Sequence, residues 1–247
     1  MSRIKALMLG VLAVFAIGAI ASASASASVW EECLEKEIVG TKYTDNHCAT
    51  ESGTGTFGWM PISKELKITS KGATQLLELQ TNPAIIITCK KVIDAGALKA
   101  GGEDEVNKLE YKECSINIAG CAVVKGSTGD TNGTISVKSL IKTKLLTLEI
   151  SGKLLVEDEF KPKNEAEEEV FVELEIGKKE NAKKEAEGAC GVLPVKVKVK
   201  GNTVAMVEGQ NLSFEGTGTL TAAGIAAKYL GLVENVLEDG KLFRASN

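Results

Sequence analysis

The sequence has little of several residue types. Its 247 residues include one histidine, four prolines and only 4% aromatic residues. A single histidine excludes zinc sites built from three histidines and mechanisms that need a histidine pair. Asp and Glu (33) outnumber Lys and Arg (29), and the formal net charge is −4. This balance argues against nucleic acid as a partner, because phosphate binding needs a basic surface.

Motifs that bind nucleotides or metals, or that carry a catalytic nucleophile, are incomplete or missing. Gly53–Gly58 matches G-x-G-x-x-G, but it stands between Cys48 and Trp59 rather than between a strand and a helix, so it is interpreted as a loop. Ser139-x-x-Lys142 lacks the accompanying S-D-N and K-T-G motifs, and Asp130–Gly133 lacks the rest of a calcium loop. The sequence therefore assigns no catalytic residue, no metal ligand and no cofactor.

The N-terminus has the order of a secretory signal peptide. Arg3 and Lys5 precede an uncharged run, residues 6–20, and an Ala-Ser repeat follows over residues 21–28. The apolar run of about 15 residues is shorter than the roughly 20 that span a bilayer, which favours cleavage over the alternative of an uncleaved anchor. The pattern predicts a signal peptide over residues 1–27, cleaved near Ala27–Ser28, and a secreted protein without a stable membrane anchor.

The remaining chain is expected to form one domain with two parts. Residues 28–61 contain both tryptophans, the histidine and two cysteines, and are interpreted as an irregular head. Residues 62–247 contain short alternating runs separated by turn residues and are interpreted as a β-rich body.

The clearest pattern is the alternation of Val195–Lys200, followed by Gly201-Asn202 and the apolar run 203–207. A Gly-Asn pair suits a two-residue turn, so we expect a hairpin in which Val199 faces Val204.

The run 170–176 alternates in the same way and places Glu173 and Glu175 on one face. We expect this acidic strand to lie beside the lysines of 195–200, where its charges offset theirs; those lysines are interpreted as a solvated sheet face.

Further runs with strand-like composition extend along the body: 65–69, 75–80, 84–90, 106–112, 134–137, 145–150, 153–156, 212–214 and 241–244. Many short strands predict an all-β fold, an antiparallel sandwich or barrel with a disulfide-stapled head. One segment differs, because Ala226, Tyr229, Leu230, Val233 and Leu237 have helical spacing. Residues 178–187, rich in Lys and Glu, are interpreted as an exposed loop.

The six cysteines allow fifteen pairings. Proximity in sequence favours Cys33–Cys48 and Cys114–Cys121, which leaves Cys89–Cys190. A metal site is the alternative, but the chain has no Cys-x-x-Cys and an exported protein meets an oxidising environment.

One cluster of residues is a candidate ligand site: Trp30, Tyr43, His47, Phe57 and Trp59. Trp59, His47 and Tyr43 are the weak ligand candidates, since aromatic side chains stack on sugars and other apolar ligands. Packing around the Cys33–Cys48 disulfide is the competing explanation.

The head and the first half of the body carry a pattern: Trp30-x-x-Cys33, Tyr43-x-Asp45-x-x-Cys48, then Thr88-Cys89, Glu113-Cys114 and Cys121. The pattern resembles a group of uncharacterised exported proteins of soil actinobacteria that have six cysteines and a β-rich body. The resemblance implies export and disulfides, and it implies no activity.

These observations predict a secreted, non-enzymatic protein that binds a partner or associates with the cell envelope, with a glycan or an envelope component as a possible partner. A hydrolase that uses paired carboxylates is one alternative, with Glu103/Glu105, Glu157/Glu159 and Glu167/Glu169 as candidate pairs, although acidic runs are more often solvated faces. A passive structural or adhesive surface protein is the other alternative.

Overall fold

The structure is a computed structural model that describes residues 27–36, 41–73, 77–81, 85–125, 133–137, 139–163, 170–178 and 195–247. Apart from the short 3-10 turn Ala100–Gly102, the regular elements of these ranges are all β-strands. The strands are β1 (Val29–Glu35), β2 (Phe57–Pro61), β3 (Leu66–Ala73), β4 (Leu77–Thr81), β5 (Ile86–Cys89), β6 (Lys91–Leu98), β7 (Glu103–Lys112), β8 (Ser115–Ile116), β9 (Cys121–Lys125), β10 (Ile135–Val137), β11 (Ile141–Ile150), β12 (Lys153–Pro162), β13 (Val170–Lys178), β14 (Val195–Lys200), β15 (Thr203–Glu208), β16 (Asn211–Gly218), β17 (Thr221–Ala222), β18 (Ile225–Leu237) and β19 (Phe243–Ser246). The predicted all-β class is confirmed. No helix in these ranges is long and apolar enough to cross a bilayer.

Eight strands close into an antiparallel barrel. Around the barrel the order is β3, β6, β7, β11, β12, β15, β16 and β18, and β18 pairs again with β3. Neighbours in the barrel follow one another in this chain order. β1 and β2 precede the barrel strands, β19 follows them, and the remaining strands are insertions between them. Closure leaves no free edge in the ring, which decides between the sandwich and the barrel that the sequence left open.

The inserted strands pair outside the ring. β4 pairs with β18 and β5, and β5 pairs with β8. β17 joins β18 to β14, which continues through β13 to β9. The long strand β18 therefore belongs to the barrel at one end and to this outer layer at the other.

The helical interpretation of residues 226–237 is wrong, because the segment is the 13-residue strand β18. Its backbone pairs with β16 and β4 along Ala227–Glu234 and with β3 along Val233–Leu237. These long-range ladders satisfy the backbone groups that a helix would have bonded internally, and Gly231 lowers the helix propensity of the segment.

The strands predicted at 195–200 and 203–207 are present, but their hairpin is wrong. β14 pairs with β13 and β17, whereas β15 pairs with β12 and β16. At the junction, Asn202 Oδ1 accepts bonds from the amide and the hydroxyl of Thr219, both at 2.7 Å. The turn thus passes the chain from the outer layer into the barrel instead of folding it back on itself.

The predicted pairing of the acidic and basic strands is confirmed. Glu173 stands opposite Lys198 and Glu175 opposite Lys196 in the β13–β14 ladder. Lys196 Nζ lies 3.2 Å from Glu173 Oε1 on the exposed face. Opposite charges in facing positions favour this register.

The head is more regular than expected. β1 and β2 pair with each other, and β1 also pairs with the C-terminal strand β19. Trp30 is 2% exposed and packs edge-on against Phe243, with ring centroids 5.7 Å apart. Both rings belong to a buried cluster that also includes Leu98, Leu145 and Leu237. The head therefore covers one end of the barrel.

The disulfides correct part of the predicted pairing. Cys33–Cys48 is present as predicted, but Cys89 is bonded to Cys114, so the pairs Cys89–Cys190 and Cys114–Cys121 are wrong. Cys89 is the last residue of β5 and faces Leu77 of β4. Cys114 directly precedes β8, and β8 pairs with β5. The β5–β8 pairing therefore brings together two cysteines that are 25 residues apart in the sequence. Cys190 lies outside the described residues. The disulfides indicate an oxidising, extracytoplasmic environment.

Candidate functional site

Two acidic triplets in the barrel strands each have one side chain that points into the barrel. Glu103-Asp104-Glu105 begins β7, and Glu157-Asp158-Glu159 lies within β12. Side chains alternate along a strand, so each central aspartate points opposite to its two glutamates. Asp104 and Asp158 are 6% and 0% exposed, which places both inside the barrel.

Polar side chains on neighbouring barrel strands form a band that we call the polar belt. It consists of Asn235 on β18, Ser70 on β3, Asp94 on β6, Asp104 on β7, Thr143 on β11 and Asp158 on β12. Ladder register brings them together: Asn235 faces Ser70, and Asp104 faces Thr143. Ser70 Oγ accepts the amide of Asp94 at 2.9 Å.

Most of the polar belt lacks hydrogen-bond partners. Among the described residues, seven buried side-chain atoms have no partner, and six of them belong to the belt; the seventh is Nε1 of Trp30. The six are Asp94 Oδ1, Asp104 Oδ1, Thr143 Oγ1, both Asp158 oxygens and Asn235 Oδ1. A buried polar atom without a partner costs on the order of 1–3 kcal/mol, so such a concentration calls for a functional explanation.

A cavity of about 120 Å³ adjoins the belt. Asp94, Asp104 and Asn235 line it, together with apolar side chains from the barrel and from the outer strands. Aromatic rings form part of the lining, and these rings are Tyr111, Phe160, Phe171, Phe214 and Tyr229. The site thus has an apolar body with oxygen atoms gathered on one side, the arrangement typical of small-molecule sites.

A local irregularity shapes the wall beside Asp94. The β6–β7 register shifts between Ala95 and Gly96, and a Cβ on Gly96 would collide with the carbonyl oxygen of Glu105. Only glycine allows the two backbones to approach this closely. The extra residue, Asn107, is on β7, so the bulge bends β7 at the level of the belt, as bulges near functional sites commonly do.

Burial makes the belt carboxyls hard to ionise. Desolvation raises the pKa of Asp94 to about 6, although contacts with Ser70 partly offset it. Desolvation also raises the pKa of Asp158 to about 8; the nearby Thr143 hydroxyl and Lys144 amide lower it in part without reaching good hydrogen-bond geometry. For Asp104, burial and then the neighbouring Asp158 raise the pKa well above its usual range. At neutral pH Asp104 and Asp158 therefore retain their protons, whereas Asp94 is largely ionised.

Two tyrosines extend the polar side of the cavity. Tyr229 Oη donates to Tyr111 Oη at 3.0 Å, and the rings pack edge-on at 6.1 Å. Phe214 contacts Tyr229 at 4.7 Å and Phe160 at 5.2 Å between ring centroids. The four rings form a continuous aromatic row beside the carboxyls.

Two of the three weak ligand candidates in the head, Tyr43 and Trp59, pack around the Cys33–Cys48 disulfide. Tyr43 is buried with Cys33 and Cys48, while His47 is exposed. Trp59 is half-buried, and the guanidinium of Arg244 lies over its ring at 4.7 Å from the centroid. None of the three lines the barrel cavity.

The acidic pairs proposed for hydrolysis lie on the outer face. Glu105 is 3.0 Å from Lys99 and 3.6 Å from Lys163, and Glu159 is 2.9 Å from Lys161. The pair Glu167/Glu169 is outside the described residues. Sequence reasoning considered the outer glutamates and missed the aspartates between them, although strict alternation within an acidic triplet was a signal that could have identified them.

No group of His, Cys, Asp or Glu within the described ranges has an arrangement suited to hold a metal ion. The comparisons with known proteins add no assignment, because no family model, curated protein or solved structure matches the chain.

Proposed function

We propose that this chain is an extracytoplasmic, non-enzymatic binding protein that holds a small, largely apolar ligand inside its barrel. The observation that carries the proposal is the cavity of about 120 Å³, lined by apolar and aromatic side chains with a few oxygens on one side. Eight-stranded barrels have interiors of a size that either fills with side chains or holds one small ligand.

The size of the cavity limits the ligand. A dry cavity of about 150 Å³ accommodates benzene, so a ligand of one ring or a short chain is the appropriate class here. A glycan fits less well, because its many hydroxyls need partners that an apolar lining does not offer. The apolar lining therefore favours a small apolar ligand over the glycan that the sequence suggested as a partner.

Export belongs to the same proposal. The basic start, the apolar run 6–20 and the Ala-Ser repeat support secretion through a signal peptide over residues 1–27. The disulfides Cys33–Cys48 and Cys89–Cys114 agree with that compartment.

A cavity-filling variant tests the proposal. Val92 lines the cavity, whereas its neighbour Ile93 is on the outer face of the same strand and is 36% exposed. We expect toluene and benzyl alcohol to raise the melting temperature of the native protein and of Ile93→Phe, and to have little effect on Val92→Phe.

Two results would overturn the proposal. One is the absence of any shift in the native protein, confirmed by ligand-observed NMR. The other is an equal shift in both variants, which would place binding outside the barrel. Val137→Phe, on another side of the cavity, repeats the test if Val92→Phe does not fold.

A carboxylate-dependent hydrolase is the second candidate. It is favoured by one observation, that Asp94 and Asp104 both line the cavity and both have raised pKa values. Turnover of nitrophenyl glycosides or esters that is lost in Asp94→Asn would favour the hydrolase over the binding protein.

A further inference from the structure

The unpartnered atoms of the cavity share one chemical character. Asp94 Oδ1, Asp104 Oδ1 and Asn235 Oδ1 all line it, and all are oxygens without a hydrogen-bond partner. Asn235 is 5% exposed, so its amide oxygen cannot rely on bulk water. These oxygens would be satisfied by a ligand that donates hydrogen bonds.

The aromatic row favours a cation as that donor. Ring faces carry negative electrostatic potential and attract ammonium groups, most strongly where water is excluded. Phe160, Phe214, Tyr229 and Tyr111 line the same cavity as the three oxygens. An ammonium group would therefore meet carboxyls, an amide oxygen and ring faces together.

The described residues offer the belt little positive charge of their own. Lys99 is the cation whose charge lowers the pKa of Asp104, but its Nζ is 3.0 Å from Glu105 Oε2. Burial outweighs its effect on Asp104. The ligand is thus the natural source of a compensating charge.

We propose that the ligand is a small monocationic amine, whose ammonium group lies among Asp94, Asp104 and Asn235 and whose apolar body contacts the aromatic row. This proposal rests on the proposed function, because it names the ligand class of the same cavity. A metal ion is the poorer alternative, since no ligand arrangement for one occurs in the described ranges.

Binding exchanges a proton for the ammonium. The groups that face one another here are Asp94, Asp104, Asp158, Tyr111 and Tyr229, with Lys99 and Glu159 acting from the outer side. The Asp104 carboxyl, which is protonated before the ligand binds, ionises when the ammonium arrives, and the proton from its O–H bond passes to solvent. Charge inside the barrel is then unchanged, which avoids burying an unpaired ion.

Three probes of similar shape and different charge test this proposal: benzylamine, benzyl alcohol and benzoate. By calorimetry at pH 7 we expect benzylamine to bind at least tenfold more tightly than benzyl alcohol, and benzoate not to bind. Repeating the titration in two buffers with different ionisation enthalpies should reveal proton release with benzylamine and none with benzyl alcohol.

Matched variants locate the charge effect. Asp104→Asn should weaken benzylamine at least tenfold and change benzyl alcohol by less than threefold. Glu103→Gln alters the adjacent, outward-facing carboxyl and should change neither. Asp94→Asn provides a second inner variant, and removing a buried carboxyl is not expected to prevent folding.

The outcomes separate the two proposals. Benzyl alcohol binding as tightly as benzylamine, or Asp94→Asn and Asp104→Asn both leaving benzylamine unchanged, would overturn the amine while the cavity proposal stands. Failure of all three probes and of toluene would overturn the proposed function itself.

Discussion

Asp104 on β7 stands directly opposite Thr143 on β11, with both side chains buried inside the barrel. Neither Asp104 Oδ1 nor Thr143 Oγ1 has a hydrogen-bond partner. Facing polar residues in a barrel interior would ordinarily satisfy each other or be replaced by apolar side chains, because unpaired buried polar groups are costly. The belt to which they belong is therefore the observation on which the proposed binding site depends.

Burial of the Asp94 carboxyl should make a contribution to stability that is lost as pH rises. The pKa of Asp94 is raised from 3.8 to about 6, so the folded state holds its proton more tightly than the unfolded state. Its contribution is fully present below about pH 4 and is lost as pH passes 6, a loss of about 3 kcal/mol at most. Urea unfolding of the disulfide-intact protein at pH 4 and pH 7.5 measures it.

The variant Asp94→Asn isolates that effect from groups that act in the opposite direction. Asp45, Glu105 and Glu113 have lowered pKa values, so their contributions grow as pH rises. The difference between the native protein and Asp94→Asn should therefore carry the loss assigned to Asp94. A difference that stays constant between the two pH values would contradict the burial of a protonated carboxyl.

Removing the disulfide Cys89–Cys114 should be costly. It closes a loop with a sequence separation of 25, which corresponds to about 3.5 kcal/mol in the chain-entropy account. The double variant Cys89→Ser/Cys114→Ser should unfold at correspondingly lower denaturant concentration. An unchanged midpoint would show that the bond does not form in solution.

Peptide mapping without reduction should recover the same pairs directly. Fragments linked through Cys33–Cys48 and Cys89–Cys114 are expected. Cys121 is also disulfide-bonded, so a count of six cysteines predicts a third linked fragment that joins it to Cys190. A fragment joining Cys114 to Cys121 would restore the pairing suggested by proximity.

The charges between β13 and β14 should behave as a cross-strand set. Glu173→Lys places like charges beside Lys196 and opposite Lys198, and we expect a loss of about 0.5 kcal/mol because the side chains are largely exposed. Adding Lys198→Glu should recover most of it, because position 173 then faces an opposite charge again while Lys196 still faces Glu175. Thermal unfolding at low and at 0.5 M salt provides the measurement, and the loss should shrink in salt.

Trp30→Ala should destabilise the barrel strongly. Trp30 is 2% exposed and packs against Phe243, so its removal leaves a cavity at the covered end and should cost about 3–5 kcal/mol. Trp59→Ala is the control, since Trp59 is half-buried outside the barrel and should cost less. Equal losses would show that the head does not cover the barrel end.

Strands with period-two alternation could be predicted from the sequence, and so could the proximity of Glu173 and Glu175 to the lysines of β14. Both follow from short-range pattern and charge. The strands that pair with β15 could not be predicted. The apolar residues Val199 and Val204 are compatible with a hairpin, but they are equally compatible with a turn that leads from one sheet into another. The disulfide Cys89–Cys114 could not be predicted either, because it depends on the pairing of β5 with β8 and not on the distance between the cysteines along the chain.

The candidate site was the least predictable part. Asp104 and Asp158 lie in acidic triplets, and acidic runs usually face solvent. Asp94, Thr143 and Asn235 are isolated polar residues in apolar strands, with no spacing that links them. They meet only because barrel closure aligns six strands at one level.

The sequence by itself determined the all-β class and the Cys33–Cys48 bond, because alternation and short loops act locally. Only the tertiary structure decided that the sheet closes, that β18 is a strand, that Cys89 reaches Cys114 and that Asp94 and Asp104 face one cavity. Those outcomes depend on ladders between residues distant in the chain, whose register is set by closing the whole barrel at once.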